Sequence, residues 1–396
     1  MARVIKSFEG IHGKAVQGVG LGMDKLETPN LFIDKSNWTK VKLGDVAFEP
    51  KETVKDLVTE GIEHVVGLEH IDSEDIHLRR SAGIEESTTF TKKFSKGDVL
   101  FGRRRAYLKK AAQANFDGIC SSDITVIRAK KNLLAELLPF VMNNDKFFDY
   151  AIKHSAGGLS PRVKFKDLAN YEFLLPPKDQ QAELAELLWA MDEVIEMNLA
   201  CLGKIKLNRN LIFTNLVNMC EGIEKPFSDL LILKKGRSVN PHQRDKYIGL
   251  EHVDSGAFDC EKYSNASEAE SSCNIVDAGD LCYSKLRPYL DKAFIASFDA
   301  ISTTEILVYD TKEISKEYAL QHLHSENFIL YAKGKAFGTK MPRVSNEIVG
   351  KYFIKVLKDE SILLSKMKTI SEAELKLKSK ITTSKSLQKS LLNQVF

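Results

Sequence analysis

The chain has 396 residues, 43% hydrophobic and 28% charged, which excludes a disordered polymer and leaves room for two or three globular domains. Its 57 Lys and Arg against 54 Asp and Glu give a formal charge of +3, so neither a basic tail nor an acidic domain dominates, while a local basic face stays open. No run of about 18 apolar residues exists, the opening MARVIKSFEG lacks an apolar leader, and the six cysteines form no C-x-x-C pair. The expectation is a cytoplasmic protein with free thiols, no membrane span and no zinc site.

Residues 1–37 carry no assignable pattern. Gly18-Val19-Gly20-Leu21-Gly22 lacks the preceding strand and following helix that a dinucleotide loop requires. From Trp38 to Pro177 the sequence reads as a mixed domain of short strands, among them GDVLFG (97–102), ITVIRA (124–129) and YEFLLP (171–176). A helical stretch over 135–154 places Leu137, Phe140, Val141, Phe147 and Phe148 near helical intervals. Pro176-Pro177 stops the last strand, and Asp179 is placed to cap a long helix over 178–220. Along it Leu184, Leu188, Met191, Ile195, Leu202, Ile205 and Ile212 follow a heptad seam, with Asn198 and Arg209 as polar members.

A second mixed domain, 221–357, follows, with strands GDLCYS, EILVYD and YFIKVL and a helical stretch over 316–334. A second long helix covers 358–396. Its seam is Leu363, Met367, Ile370, Leu377, Ile381, Leu391 and Val395, interrupted by Glu374, Ser384 and Gln388. The fold class expected is α+β: domain, long helix, domain, long helix, the helices pairing as an antiparallel coiled coil.

The two halves repeat. GLEHIDS at 67–73 returns as GLEHVDS at 249–255, an offset of 182. At that offset residues 97–127 and 279–309 share 13 of 31 positions without a gap, where chance gives roughly two. Pro161-Arg162-Val163 returns as Pro342-Arg343-Val344, offset 181. A period this long is domain-sized, far beyond a solenoid repeat. Two equivalent domains on antiparallel helices of about 60 Å are related by a pseudo-twofold axis. DNA, with paired half-sites, is the natural ligand for such an arrangement.

The chemistry concentrates in the repeated block. Residues 88–170 hold 16 Lys or Arg and 7 Asp or Glu. Arg103, Arg104, Arg105, Tyr107 and Lys110 in the first copy face Lys285, Arg287, Tyr289 and Lys292 in the second. Arg104 becomes Leu286, and Lys109 becomes Asp291. Retained cations suit phosphate contacts, and changed neighbours suit base readout. Gly157-Gly158-Leu159-Ser160-Pro161-Arg162-Val163-Lys164 and Phe337-Gly338-Thr339-Lys340-Met341-Pro342-Arg343 are Gly-containing basic loops without the G-K-[ST] ending of a P-loop. Arg162, Lys164, Lys340 and Arg343 therefore join the DNA-binding set; a plain turn is the alternative. His70 and His252 recur without further ligands and read as satisfied structural histidines. Asn240-Pro241-His242 is not the Asn-Pro-Pro-aromatic motif of adenine methyltransferases, and no Walker loop, H-E-x-x-H or G-x-S-x-G occurs, so no catalytic residue is expected.

These residues carry a resemblance. The repeated GLEH[IV]D, the GD-x₂-[FY] block with its basic-Tyr segment, and SAGGLSPRVKFKDLANYEFLLPPKDQQAELAELL (155–188) resemble the specificity subunit of type I restriction-modification systems. Trp38-Thr39-Lys40-Val41-Lys42-Leu43-Gly44-Asp45 is similar to that family's start. The resemblance covers 38–396 and departs at 1–37 and at Lys355-Val356-Leu357-Lys358-Asp359, which replaces Leu-Pro-Pro before the second helix.

The resemblance implies a non-catalytic DNA-recognition subunit. Two target recognition domains read the halves of a split, asymmetric sequence. The paired helices set the spacer and hold two methyltransferase subunits, with restriction subunits joining them. S-adenosylmethionine and ATP belong to those partners, and the chain itself takes no cofactor or metal. Two other readings stand beside it. A coiled-coil adaptor without DNA binding explains the helices but not the recurring cations. A fused methyltransferase-nuclease lacks its motifs.

Overall fold

The computed structural model describes residues 33–396 apart from 57–58, 86–88, 240–243 and 270. The Gly18–Gly22 run and Asn240-Pro241-His242 lie outside the described residues. The chain forms two compact units. The first takes residues up to Asn198 together with Ser379–Phe396, and the second takes Leu199–Lys378. The division falls inside both long helices, not at their ends, because the two halves of each helix pack in different units.

In the first unit Ala47–Phe48, Ile124–Ala129, Val99–Gly102 and Ala111–Gln113 form an antiparallel four-stranded sheet. A three-stranded sheet pairs Gly118–Cys120 parallel with Val65–Val66 and antiparallel with Lys92–Phe94. Thr39–Lys42 pairs antiparallel with Glu172–Leu175, which delivers the chain to the first long helix, Lys178–Met219. Pro177 closes off the strand, and Asp179 lies in the first turn, where an acid favours the helix dipole. Gln181, 1% exposed, locks that turn: it accepts from Leu134 N at 2.9 Å and donates to Asn132 O and Pro176 O.

The aromatic core of this unit gathers Phe101, Phe140, Phe147, Phe148, Tyr171 and Phe173 around Leu184 and Leu188 of the first helix and Leu391, Leu392 and Val395 of the second. Gln388 donates to Leu188 O at 3.4 Å. Lys35 donates to the last carbonyls, Gln394 O and Val395 O, so a residue of the N-terminal extension caps the second helix.

The second unit repeats the plan. Leu231–Leu233, Ile306–Thr311, Leu281–Ser284, Ala293–Ala296 and Asp259–Cys260 form one five-stranded sheet. Arg237–Ser238, Cys273–Val276, Ala300–Ser302, Lys246–Ile248 and Ser264–Asn265 form another. Gly222–Pro226 pairs with Phe353–Leu357 before the second long helix, Ser361–Val395. The 182-residue offset is preserved in strand register: Val65↔Ile119 matches Tyr247↔Ile301, and Leu100↔Val126 matches Cys282↔Val308. Phe213 and Val217 pack with Leu363 and Met367 over Phe227, Tyr318 and Phe328. Lacking Leu-Pro-Pro, this helix start uses Asp359, which accepts from Ser361 N at 2.8 Å, and Glu360, which accepts from Ser315 N at 3.2 Å.

The seam residues divide. Leu184, Leu188, Ile195, Leu363, Met367 and Ile381 are buried, and Met191, Leu202, Ile205, Ile370 and Leu377 are half-buried. Ile212 is 38% exposed and Phe213 takes its place at 3%. After Arg209 the buried positions step by four, to Phe213 and Val217. A 3.5-residue repeat drifts around a straight 3.6-residue helix, so strict heptad counting lands one residue short.

Two histidines tie these units to pH with opposite sign. In the first unit His77 Nε2 lies 2.7 Å from Asp192 Oδ2 on the first helix, and Arg79 reaches Glu196 one turn on at 2.6 Å. The hydrogen bond that the imidazole donates to Asp192 raises it above its ordinary value against the opposing effect of burial. The stability it contributes is full below about pH 6.5 and is lost as pH rises through the folded value.

In the second unit His322, 7% exposed among Phe213, Tyr318 and Phe227, is pushed down to about 3 by burial. Stability linked to it is full above about pH 6.5 and falls on acidification. Both tryptophans, Trp38 and Trp189, report the first unit. Its urea midpoint by fluorescence should fall between pH 6 and 8.5, and His77→Gln should flatten that slope. Hydrogen-exchange protection of the second unit should fall between pH 7.5 and 5.5, and His322→Phe should remove the fall. Unchanged slopes in the variants would refute the assignment.

Candidate nucleic-acid interface

In each unit the basic segment and the Gly-containing loop are held together by backbone hydrogen bonds. In the first, Arg105 N donates to Pro161 O at 2.8 Å, Val163 N to Arg103 O at 3.0 Å and Arg103 N to Asp123 O at 3.0 Å. In the second, Arg287 N donates to Pro342 O at 2.7 Å, Val344 N to Lys285 O at 3.0 Å and Lys285 N to Glu305 O at 2.9 Å. Both Gly-containing loops close on an antiparallel bridge, Ala156↔Arg162 and Phe337↔Arg343, and turn on a glycine at positive φ, Gly157 at 117° and Gly338 at 96°.

The basic segment is bent by left-handed residues. Arg105 (φ 56°) and Lys109 (48°) bracket a short 3-10 turn, Ala106–Leu108; Arg287 (50°) and Asp291 (50°) bracket Pro288–Leu290. The left-handed region costs an L-residue roughly 1–2 kcal/mol, and here arginine occupies it in both copies.

The expected site residues fall into three groups. Arg105, Tyr107, Lys164, Arg287, Tyr289 and Lys340 are exposed, and Arg103 and Lys285 are half-buried. Among the described residues none of these six cations has an ion-pair partner. Arg162 and Arg343 are engaged: each donates through Nε to an acid on the neighbouring strand end, Asp123 at 2.7 Å and Glu305 at 3.0 Å. Arg104 adds a weaker contact to Asp123 at 3.4 Å, and its counterpart Leu286 is buried. The hydrogen bond from Arg162 holds the Asp123 carboxyl below its ordinary range, so this acid stays an anion that positions the loop.

Lys110 and Lys292 point inward. Each ammonium donates to a carbonyl of the GLEH turn, Leu68 O at 2.7 Å and Leu250 O at 2.6 Å. In the same turns Gly67 N donates to His70 Nδ1 at 2.9 Å and Gly249 N to His252 Nδ1 at 3.0 Å. The recurring Gly-Leu-Glu-His and Lys thus belong to one device that ties the turn to the basic segment, and a satisfied histidine is what the structure holds. Among the described residues no cluster of three or more His, Cys, Asp or Glu could bind a metal, and no helix is long and apolar enough to cross a membrane.

Three pairings were not joined by the sequence: Gln181 at the helix start, His77 with Asp192, and Arg209 with Glu374 at 3.1 Å. Only the last left a trace, as opposite charges on the two seams.

Residues 35–206 match the model of the type I restriction modification DNA specificity domain. Over that stretch the chain is similar to the type I restriction-modification specificity family. The type I restriction enzyme EcoDI specificity subunit of Escherichia coli is 31% identical over 117 residues, 28% of this chain and 26% of that subunit. The match therefore spans about a quarter of the curated relative.

The fold extends the likeness along the chain. One similar solved chain comes from work on complex assembly and conformational transition of the type I restriction-modification system. It is 17% identical, with a TM-score of 0.52, covering 91% of this chain and 96% of that one. The type I S subunit from M. genitalium is 13% identical, with a TM-score of 0.51 and the same coverages. These two likenesses concern the fold: mixed α/β units with a long internal helix and a long C-terminal helix.

Proposed function

We propose that the chain is the DNA-recognition subunit of a type I restriction-modification complex. The observation that carries this reading is the loop pair found twice. In each unit a basic segment and a Gly-containing basic loop are locked together, with an exposed arginine held in a strained backbone conformation. Strain of this kind gathers where a ligand is met. In this reading each unit is a target recognition domain for one half of a split DNA sequence. The domains run over 38–177 and 221–357. The long helices, 178–220 and 358–396, pair as an antiparallel coiled coil and hold two methyltransferase subunits, with restriction subunits able to join. S-adenosylmethionine and ATP act on those partners, the chain itself being non-catalytic, and the complex works in the cytoplasm.

Methylation-sensitive sequencing of DNA from cells with and without the chain tests this directly. The expected result is a modified motif of two short specified segments separated by an unspecified spacer, lost with the chain. A single contiguous motif would reject the two-reader reading, and an unchanged methylome would reject DNA recognition.

A further inference from the structure

The loop pairs that hold the cations also expose apolar side chains. In the first unit Leu159 stands 98% exposed at the tip of the Gly-containing loop, with Tyr107 at 52% and Leu108 at 41% on the adjoining basic segment. In the second, Met341 is 45% exposed near the matching tip, with Phe337 at 59% and Tyr289 at 46%. Single exposed hydrophobics are ordinary on a protein surface. Three large ones on the same two locked loops, in both copies, are not scattered singly.

The tips are built to protrude. Each loop is closed by reciprocal backbone hydrogen bonds, Ala156 with Arg162 and Phe337 with Arg343, all of 2.9–3.0 Å. A further hydrogen bond, from Arg105 N or Arg287 N, fixes the proline carbonyl beside the tip. These bonds fix the backbone of each tip.

Charge selects the occupant. Residues 102–110 and 153–166 carry nine Lys or Arg and no acid, and though Arg104 and Arg162 pair with Asp123 and Lys109 with Asp145, Arg103, Arg105 and Lys164 have no ion-pair partner among the described residues. Residues 284–292 and 333–345 carry seven Lys or Arg and one acid, Asp291, which is bonded to His324 at 2.7 Å; Arg343 pairs with Glu305, while Lys285, Arg287 and Lys340 have no ion-pair partner among the described residues. An apolar point ringed by cations suits a polyanion that offers an apolar interior between charged edges. A base-paired duplex has that form, with stacked bases between phosphates.

We infer that Leu159 and Met341 are wedges that enter between base pairs and unstack a single step in each half-site, while the surrounding cations hold the phosphates. Apolar wedges of Leu, Met or Phe are a known way to trade unstacking for a bent, closely wrapped duplex, and a neighbouring tyrosine can stack on the opened base. The inference rests on the DNA-recognition reading above.

The test uses the full chain alone, so that no methyltransferase flips a base. The probe is the duplex recovered by selection from random 40-base-pair DNA at low salt, with 2-aminopurine placed at successive positions. Anisotropy reports binding and 2-aminopurine fluorescence reports unstacking in the same titration. The expected result is a severalfold rise in fluorescence at one step per half-site. Leu159→Ser should remove the rise in one half and Met341→Ser in the other, each with at most a tenfold loss of affinity. Lys164→Ala should weaken binding and lower the salt dependence by about one counterion, with the rise intact at saturation. Binding without any rise, or a rise that survives both serine variants, overturns the wedge and leaves DNA recognition standing. No binding of any duplex overturns both. Serine variants that leave the DNA signals unchanged but weaken methyltransferase capture would assign these tips to a protein partner and equally overturn the wedge.

Discussion

Arg209→Ala will destabilise the second unit by about 3–5 kcal/mol, and Glu374→Ala will do the same. Arg209 is 7% exposed and Glu374 6%, and their side chains meet at 3.1 Å between the two long helices of that unit. The guanidinium is otherwise spent on Ser371 Oγ at 3.0 Å, Gln321 Oε1 at 3.4 Å and the face of Phe258, 3.7 Å from the ring centroid. Burial lowers the Arg209 pKa even with Glu374 beside it, so removing either partner strands a charge that water cannot reach. The pair itself adds little net stability, because both ions were desolvated to make it. The double variant Arg209→Met/Glu374→Leu should therefore recover to within about 1 kcal/mol of the parent, or exceed it. Urea midpoints of the four proteins decide the matter. Independent, additive losses would mean that the two charges do not act as a pair.

The same pair marks how far the sequence could be read. Periodicity alone located both long helices and most of their seams, since apolar steps of three and four have no other use over forty residues. It also placed Arg209 and Glu374 on those seams. It did not join them, because a seam gives rotation about each helix and not the axial register between two. The repeat announced that two strand sets share one plan, and register confirms the offset of 182 in residues such as Val65 and Tyr247. What the repeat left open was the direction of each cation. Lys110 and Arg105 are equally repeated and equally basic. One is turned inward to a carbonyl and the other is exposed, and only the left-handed turn between them separates the two. Ile212 and Phe213 show the corresponding limit for helices. Both are apolar, and a drift of about 20° per heptad decides between them.

Arg105→Gly and Arg287→Gly will separate binding from folding. Both arginines sit at positive φ, 56° and 50°, where glycine is at ease. Relief of roughly 1–2 kcal/mol of backbone strain is set against roughly 0.5–1 kcal/mol of extra unfolded-state entropy for glycine. Each variant should therefore fold with a stability within about 1 kcal/mol of the parent. Among the described residues neither arginine has an ion-pair partner to lose. DNA affinity should behave differently. An arginine bidentate to guanine, the commonest specific contact, accounts for about 1–3 kcal/mol, so each variant should bind at least about fivefold more weakly, and the pair about thirtyfold or more. The losses should be specific to one half-site each, since the two arginines belong to different units. Equilibrium binding to duplexes carrying one intact and one scrambled half-site reads this directly. Full affinity in the double variant would remove the arginines from the interface and favour an adaptor that binds only proteins. A stability gain accompanied by a loss of affinity would show why both copies keep a charged side chain where the backbone alone would choose glycine.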